Sequence, residues 1–226
     1  NKVGVGTTTP QSLLSVEGNS QAIDADGNIY DVVKIGNQIW MAENLRTTKH
    51  TGGTPITSVS DSTAFVGAST PVYTFVEYDS STYTADYGLV YNGYAINSDS
   101  ICPTGYRIPS QSDIDTLYTY AGGFNVAGGK LKETGTTYWN SPNSGATNEF
   151  GFNLRGAGFI YDGSYINFKT EGLVPRLTTG SGIIGRAASH SDTDFTVTSI
   201  SGNSGSTVRC MKDVDKSVSL NVDEFS

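Results

Sequence analysis

Apolar and polar residues alternate with a period of two through much of this chain, and only one stretch carries a clear helical period. Ile29, Val32, Val33 and Ile35 precede Gly36-Asn37, and Ile39-Trp40-Met41 follow it, which predicts a hairpin turning at Gly36-Asn37. Phe159-Ile-Tyr161 and Ser164-Tyr-Ile-Asn-Phe168 flank Asp162-Gly163 and predict a second hairpin. Phe195-Thr-Val-Thr-Ser-Ile200 and Thr207-Val-Arg-Cys210 read as closing strands, with 173–206 otherwise rich in loops. The helix follows Ser110. That residue can cap the amides near Asp113, whose charge suits the first turn. Ile114, Leu117, Tyr118 and Ala121 then fall at i, i+3, i+4 and i+7, and Gly122-Gly123 ends the run. A weaker turn of helix precedes Gly128-Gly129. Residues 47–87 are rich in Ser, Thr and Gly, with Tyr73, Phe75, Tyr78 and Tyr83 scattered among them. They read as long ordered loops with one strand at 72–77.

The two ends differ from this body. Residues 1–19 have short apolar alternation and a Thr-Pro break, too little to build a core. They are similar to the Val-Gly-Ile-Gly-Thr stretches in stalks of bacterial surface proteins and phage tail fibres, where three chains wind together. That likeness implies a homotrimer joined through this segment; a flexible linker is the competing reading. Residues 214–226 alternate at Val218, Leu220 and Val222, as an added strand or an extension would. The body between them, 20–213, is one domain. A chain opening on Asn1 reads as a mature product or a fragment of something longer.

Composition narrows the partners. With 14 basic against 22 acidic side chains and a net charge of −8, the chain lacks the clustered cations that nucleic acid or an anionic membrane surface requires. No run of 18 apolar residues occurs, so no membrane insertion is expected. Charged residues make up only 16%, and the polar remainder is mostly Ser, Thr and Asn, as in extracellular β-rich proteins. Cys102 and Cys210 are the only cysteines. Two free core thiols, a metal pair or a disulfide are the options. With two histidines and no C-x-x-C, zinc is disfavoured, and a disulfide is the preferred reading. Such a bond implies an oxidising compartment.

Four segments, taken in order, resemble one family. They are Asp26-Gly-Asn-Ile-Tyr30 continuing through Ile35-Gly-Asn-Gln-Ile-Trp40-Met-Ala-Glu-Asn-Leu45; Tyr87-Gly-Leu-Val-Tyr91-Asn-Gly-Tyr-Ala-Ile96; Cys102-Pro-Thr-Gly-Tyr-Arg-Ile-Pro-Ser110; and Val208-Arg-Cys210. Together, over roughly 20–213, they resemble the Fibrobacter succinogenes major paralogous domain. This is a secreted family of Bacteroidetes-like bacteria, related to the formylglycine-generating-enzyme branch of the C-type lectin-like fold. The resemblance implies an α+β domain: a small twisted antiparallel sheet, one or two helices, long ordered loops, and terminal strands that pair. The chain departs from the family pattern at Gly93, usually aromatic, and over 180–190, where a Tyr/Trp-Ser-rich run is common.

Enzymatic readings fare poorly. Formylglycine-generating enzymes hold copper with two active-site cysteines, whereas Cys102 and Cys210 sit in structural contexts. A serine triad would need His50 or His190, and no G-x-S-x-G elbow is present. Gly180-Ser-Gly182-Ile-Ile-Gly185 fits G-x-G-x-x-G in letters but not within a strand–turn–helix unit. Asp24-Ala-Asp-Gly-Asn28 opens like a calcium loop, yet its twelfth position is Ile35 rather than Glu, so it is a turn. Lectin-type Glu-Pro-Asn or Gln-Pro-Asp is missing, and Trp139-Asn-Ser141 lacks the closing acid. No cofactor is expected; a structural calcium on loop carboxylates such as Asp61, Asp79, Asp86 or Asp99 is compatible with the sequence, and spacing alone does not decide it.

The expected function is therefore non-catalytic: an extracellular adhesin or fibre-tip domain, on a cell surface or virion tail, that binds a cell-surface glycan or protein through variable loops. Its candidate ligand-binding residues are Tyr161, Tyr165, Asn167 and Phe168 from one hairpin, with Arg176, Arg186, His190 and Asp192. Tyr with Ser, Gly and Asn makes an adaptable surface at small entropic cost. For each tyrosine a core or half-buried place in a sheet is the competing reading. The alternative function is a structural subunit of a surface filament or layer, assembled through its terminal segments.

Overall fold

The structure, a computed structural model, describes residues 21–80, 82–200 and 203–213, together with the backbone of Val3–Val5 and Leu14–Val16, which pair in parallel. The rest of 1–19, the segment expected as a stalk, and all of 214–226 lie outside the described residues.

Both predicted hairpins form. Gly36-Asn37 joins Val32–Ile35 to Gln38–Met41, with Ile35 opposite Gln38. Asp162 and Gly163 take positive φ and join Phe159–Tyr161 to Ser164–Ile166. Ile29 belongs instead to a separate two-stranded ribbon, Ala22–Ile23 with Ile29–Tyr30. The Asp24 turn links its strands: Asp24 accepts the amides of Asp26 (2.9 Å) and Asn28 (3.0 Å) and the Tyr30 hydroxyl (2.5 Å).

The strands assemble into three larger sheets. One runs Tyr106–Arg107, Met211–Lys212, Gln38–Met41, Val32–Ile35, so the last described strand pairs with one of the first, as expected. The second runs Ser164–Ile166, Phe159–Tyr161, Gly205–Ser206, Leu89–Asn92, Val72–Phe75, Thr57–Ser58, antiparallel except at the last pair. The third, Glu171–Arg176, Ile183–Ser189 and Thr196–Ile200, corrects the loop-rich reading of 173–206. Its middle strand is buried along most of its length, so the period-two signature is missing and small residues replace bulky ones. Residues 207–210, expected as a strand, instead cross between two sheets.

Among the described residues five α-helices accompany the sheets: Ser62–Gly67, Thr84–Tyr87, Gly93–Asn97, Gln111–Tyr120 and Phe124–Leu131. The first two fall in the stretch read as loops. They are one or two turns long, too short for a helical period to register. The last runs through Gly128-Gly129 because neighbouring backbone lies against both. A Cβ would meet the Asp194 carbonyl at 2.0 Å from Gly128, and the Gly145 carbonyl at 2.6 Å from Gly129. The architecture is α+β. Trp40, Ile114, Leu117, Leu131, Trp139, Phe152 and Phe195 share one core; Tyr30, Met41, Tyr91, Ile96, Ile108 and Val208 share a second, which holds the Cys102–Cys210 disulfide (Cα–Cα 5.9 Å).

The Gln111–Tyr120 helix has the predicted start and stop. Ser110 Oγ accepts the Asp113 amide (3.3 Å) while Asp113 accepts the Ser110 amide (2.7 Å), a reciprocal capping box. At the other end the Gly122 and Gly123 amides donate to Thr119 and Tyr118 carbonyls, a Schellman closure. Arg107 grips both Asp113 oxygens, at 2.6 and 3.1 Å. Burial alone would raise the Asp113 carboxyl, but Arg107 and Ser110 outweigh it and hold the group below its ordinary value. A depressed carboxylate stabilises the fold fully above its unfolded pKa, and that contribution fades as pH falls through the lower folded value. Asp113→Asn should therefore cost about 1 kcal/mol near pH 7. The gap to wild type should close below about pH 4. Urea denaturation at both pH values measures it; a gap that widens in acid contradicts the assignment.

Candidate polar cleft around Arg209

The crossing segment 207–210 carries an arginine between Val208 and Cys210, and that side chain is only 2% exposed. Its neighbours explain how it is accommodated. Nε and Nη2 donate to Asn44 Oδ1 (3.2 and 2.9 Å), Nη2 also to the Asn153 carbonyl (3.2 Å), and Nη1 to the Phe152 carbonyl. The guanidinium lies 4.4 Å from the centre of the Phe152 ring. No carboxylate lies within ion-pair distance of it among the described residues. Burial, with Arg155 nearby, pulls it down to about 9, so it stays charged at neutral pH. Asn44 in turn donates to the Tyr87 carbonyl (2.9 Å), and Leu45 donates its amide to Val208 (2.8 Å). Gly88 has to be glycine: φ is +79°, and a Cβ would fall 2.6 Å from the Leu45 carbonyl. Three of the four sequence blocks quoted above are thus tied together around one buried cation.

Over this floor opens a cleft of about 340 Å³, lined by Glu43, Asn44, Arg46, Ala85, Asp86, Asn153 and Arg155. Each wall arginine is fixed by an acid and an aromatic face. Arg155 Nε is 2.6 Å from Glu133, its Nη1 bonds the Asp86 carbonyl and stands 3.6 Å from Asp86 Oδ1, and its guanidinium lies 3.6 Å above the Tyr138 ring. Tyr138 donates to Asp86 Oδ1 (3.2 Å). Arg46 is 2.7 Å from Glu43, donates to the Ile29 carbonyl (2.8 Å) and lies 4.4 Å above Tyr30. Two arginines and two carboxylates on the lining balance, and no Ser, Cys or His is among these lining residues. Such a cleft presents hydrogen-bond donors and acceptors in fixed positions. Its two carboxylates, Glu43 and Asp86, each stand beside an arginine.

The sequence-predicted residues distribute around the molecule. Phe168 meets Tyr83 and Tyr87 edge-on at 4.9 and 5.2 Å, and Tyr87 meets Tyr138 at 5.7 Å, so this cluster backs the cleft's Arg155 wall. Tyr165 points inward with it, donating to the Ala157 carbonyl (2.5 Å) and packing on Tyr78. Tyr161, on the opposite face of the hairpin, is 49% exposed. Asn167 is exposed with φ 60°, its carbonyl accepting the Thr170 and Glu171 amides. His190 stands beside that turn, its amide on the Thr170 carbonyl and Nδ1 3.1 Å from the Ser141 carbonyl. Asp192 accepts the Asp194 amide (3.0 Å). Arg186 donates to the Phe195 carbonyl (2.7 Å) and stacks 3.9 Å above Tyr118. Arg176, which donates to the Leu177 carbonyl, closes the far end of the strand pair that begins at Glu171 and Ser189. The structure therefore joins His190 to the Asn167 turn and separates both from Arg176.

The four acids considered for calcium have separate tasks. Asp61 caps Ser62–Gly67, Asp79 accepts the Thr82 hydroxyl, Asp86 faces the cleft, and Asp99 accepts the Ile108 amide. Among the described residues no three His, Cys, Asp or Glu side chains gather where they could hold a metal ion. His50 contacts Ser100 Oγ at 2.8 Å, and Ile183 of the G-x-G-x-x-G stretch opens a strand rather than a helix. No described helix is long and apolar enough to cross a membrane. Sequence reasoning missed Arg209, Asn44 and Arg155 as a set. The available signal was a charged residue inside the apolar run Val208-Arg-Cys210.

A disulfide-bearing α+β domain, with a charge-balanced hollow built by its connections over a buried arginine, is the class this fold and site define. The chain belongs to the Fibrobacter succinogenes major domain family, whose model matches residues 33–212. No curated protein and no solved structure matches it.

Proposed function

We propose that this domain is a non-catalytic extracellular recognition module on a C-type lectin-like scaffold, and that the cleft over Arg209 binds a segment of a neutral cell-surface glycan. The carrying observation is the pairing of Arg46 with Glu43 and of Arg155 with Asp86 around one hollow. Such walls hold hydrogen-bonding groups in fixed positions while leaving no net charge for an ionic ligand, and Tyr138 flanks them with an aromatic ring. The disulfide supports an extracytoplasmic home, because such bonds persist in oxidising compartments. Assembly of three chains through 1–19 would multiply weak single-site binding by avidity.

Ala85 is exposed on the cleft wall, so Ala85→Trp should fill the hollow with little effect on stability. On a glycan array, the wild-type domain should bind a defined set of neutral glycans and leave them uncleaved. Ala85→Trp should weaken that binding at least tenfold. Undiminished binding by the variant removes the cleft from the reading, and turnover of the bound glycan removes the non-catalytic role.

A further inference from the structure

Thr196–Ile200 forms one margin of the three-stranded sheet. Its inner side pairs with Ile183–Ser189, and no described strand pairs with its outer side. Exposed edges are ordinarily protected by charge, proline or a bulge, because their unpaired amides and carbonyls template another strand. This edge reads Thr-Val-Thr-Ser-Ile, with no charge and no proline, and its register with the neighbouring strand is unbroken. Val197 at its centre is 64% exposed, the highest value among the large apolar side chains described. Phe124, whose carbonyl takes the Phe195 amide where the strand begins, is exposed too.

The same chain carries a segment that matches such an edge. Ser217-Val-Ser-Leu-Asn-Val222 alternates polar and apolar residues and is uncharged, with Asp215-Lys216 and Asp223-Glu224 bracketing it. In length it fits the five-residue edge. Asp213 is held at the four-stranded sheet by Arg107 (3.2 Å) and by its amide on the Gly105 carbonyl (2.8 Å). The tail thus sets out from a different sheet, and a neighbour's edge is open to it as well as its own.

We propose that residues 217–222 of one molecule add as a strand to the outer edge of Thr196–Ile200 in a second molecule. Because the two surfaces differ, the contact is heterologous and propagates into an open chain of subunits. This goes beyond the glycan reading and stands or falls without it.

Sedimentation velocity of the full chain over a wide concentration range tests the joint. Wild type should gain mass with concentration, starting from a dilute-limit value that also reports any assembly through 1–19. Val197→Lys guards the edge, and Leu220→Pro removes an amide and the extended pairing geometry from the tail. Each variant alone should lose the concentration dependence, with circular dichroism confirming its fold. Mixed together they should recover one joint per pair, since each retains the half that the other lacks. A wild-type mass independent of concentration, growth that persists in both variants, or a mixture that fails to associate each overturns the proposal.

Discussion

Replacing Cys102 and Cys210 together by alanine should lower stability by about 4–5 kcal/mol in the chain-entropy account of a cross-link closing a loop this long. The sequence separation is 108, and both residues are buried. The bond joins the segment leading into Tyr106–Arg107 to the crossing segment that holds Arg209, so it clamps two pieces that meet late in the sequence. Oxidised wild type and the double variant, compared by urea denaturation under two-state conditions, give the difference. A loss under about 1 kcal/mol would mean that the unfolded chain is already confined by other contacts, and the clamp would lose its place in this account.

The second large effect should come from Lys132. Its side chain is fully buried, and its ammonium donates to three main-chain carbonyls, Ser144 (2.9 Å), Ser189 (2.6 Å) and Asp192 (2.7 Å), with the Trp139 ring 5.5 Å away. All three donors of an ammonium are used, and two separate stretches of chain, at 144 and at 189–192, hang on one atom. Lys132→Met keeps much of the volume and strands three acceptors away from water. An unsatisfied buried acceptor costs about 1–3 kcal/mol. Relief of the buried charge offsets part of the sum, which leaves an expected loss of about 3 kcal/mol. Hydrogen exchange should show the amides of 189–194 opening first in the variant. Uniform protection across that region would assign Lys132 a merely space-filling part.

The sequence revealed those features whose cause is local. Gly36-Asn37 and Asp162-Gly163 set their turns by backbone preference, and Ser110 with Asp113 set a helix start through two hydrogen bonds between near neighbours. Features decided by distant contacts stayed hidden. Gly128-Gly129 looked like a terminator, yet the helix passes through because carbonyls from 145 and 194 need that space. Ile183–Ser189 showed no alternation because it is covered on both faces. The candidate site divides the same way. Tyr161 and Tyr165 are close in the chain, but a strand turns successive residues to opposite faces, and register sends Tyr165 into the aromatic cluster. Arg209, Asn44 and Arg155 come from 43–46, 148–155 and the crossing segment, and nothing in any one of those stretches announces the other two.

Arg209 fastens Asn44 and the carbonyls of 152 and 153 at the same time. The hollow's dimensions are thereby decided at the moment of folding, before any guest arrives. Entry should then demand little ordering of the host, and whatever affinity the fixed groups provide would be spent on discrimination between guests.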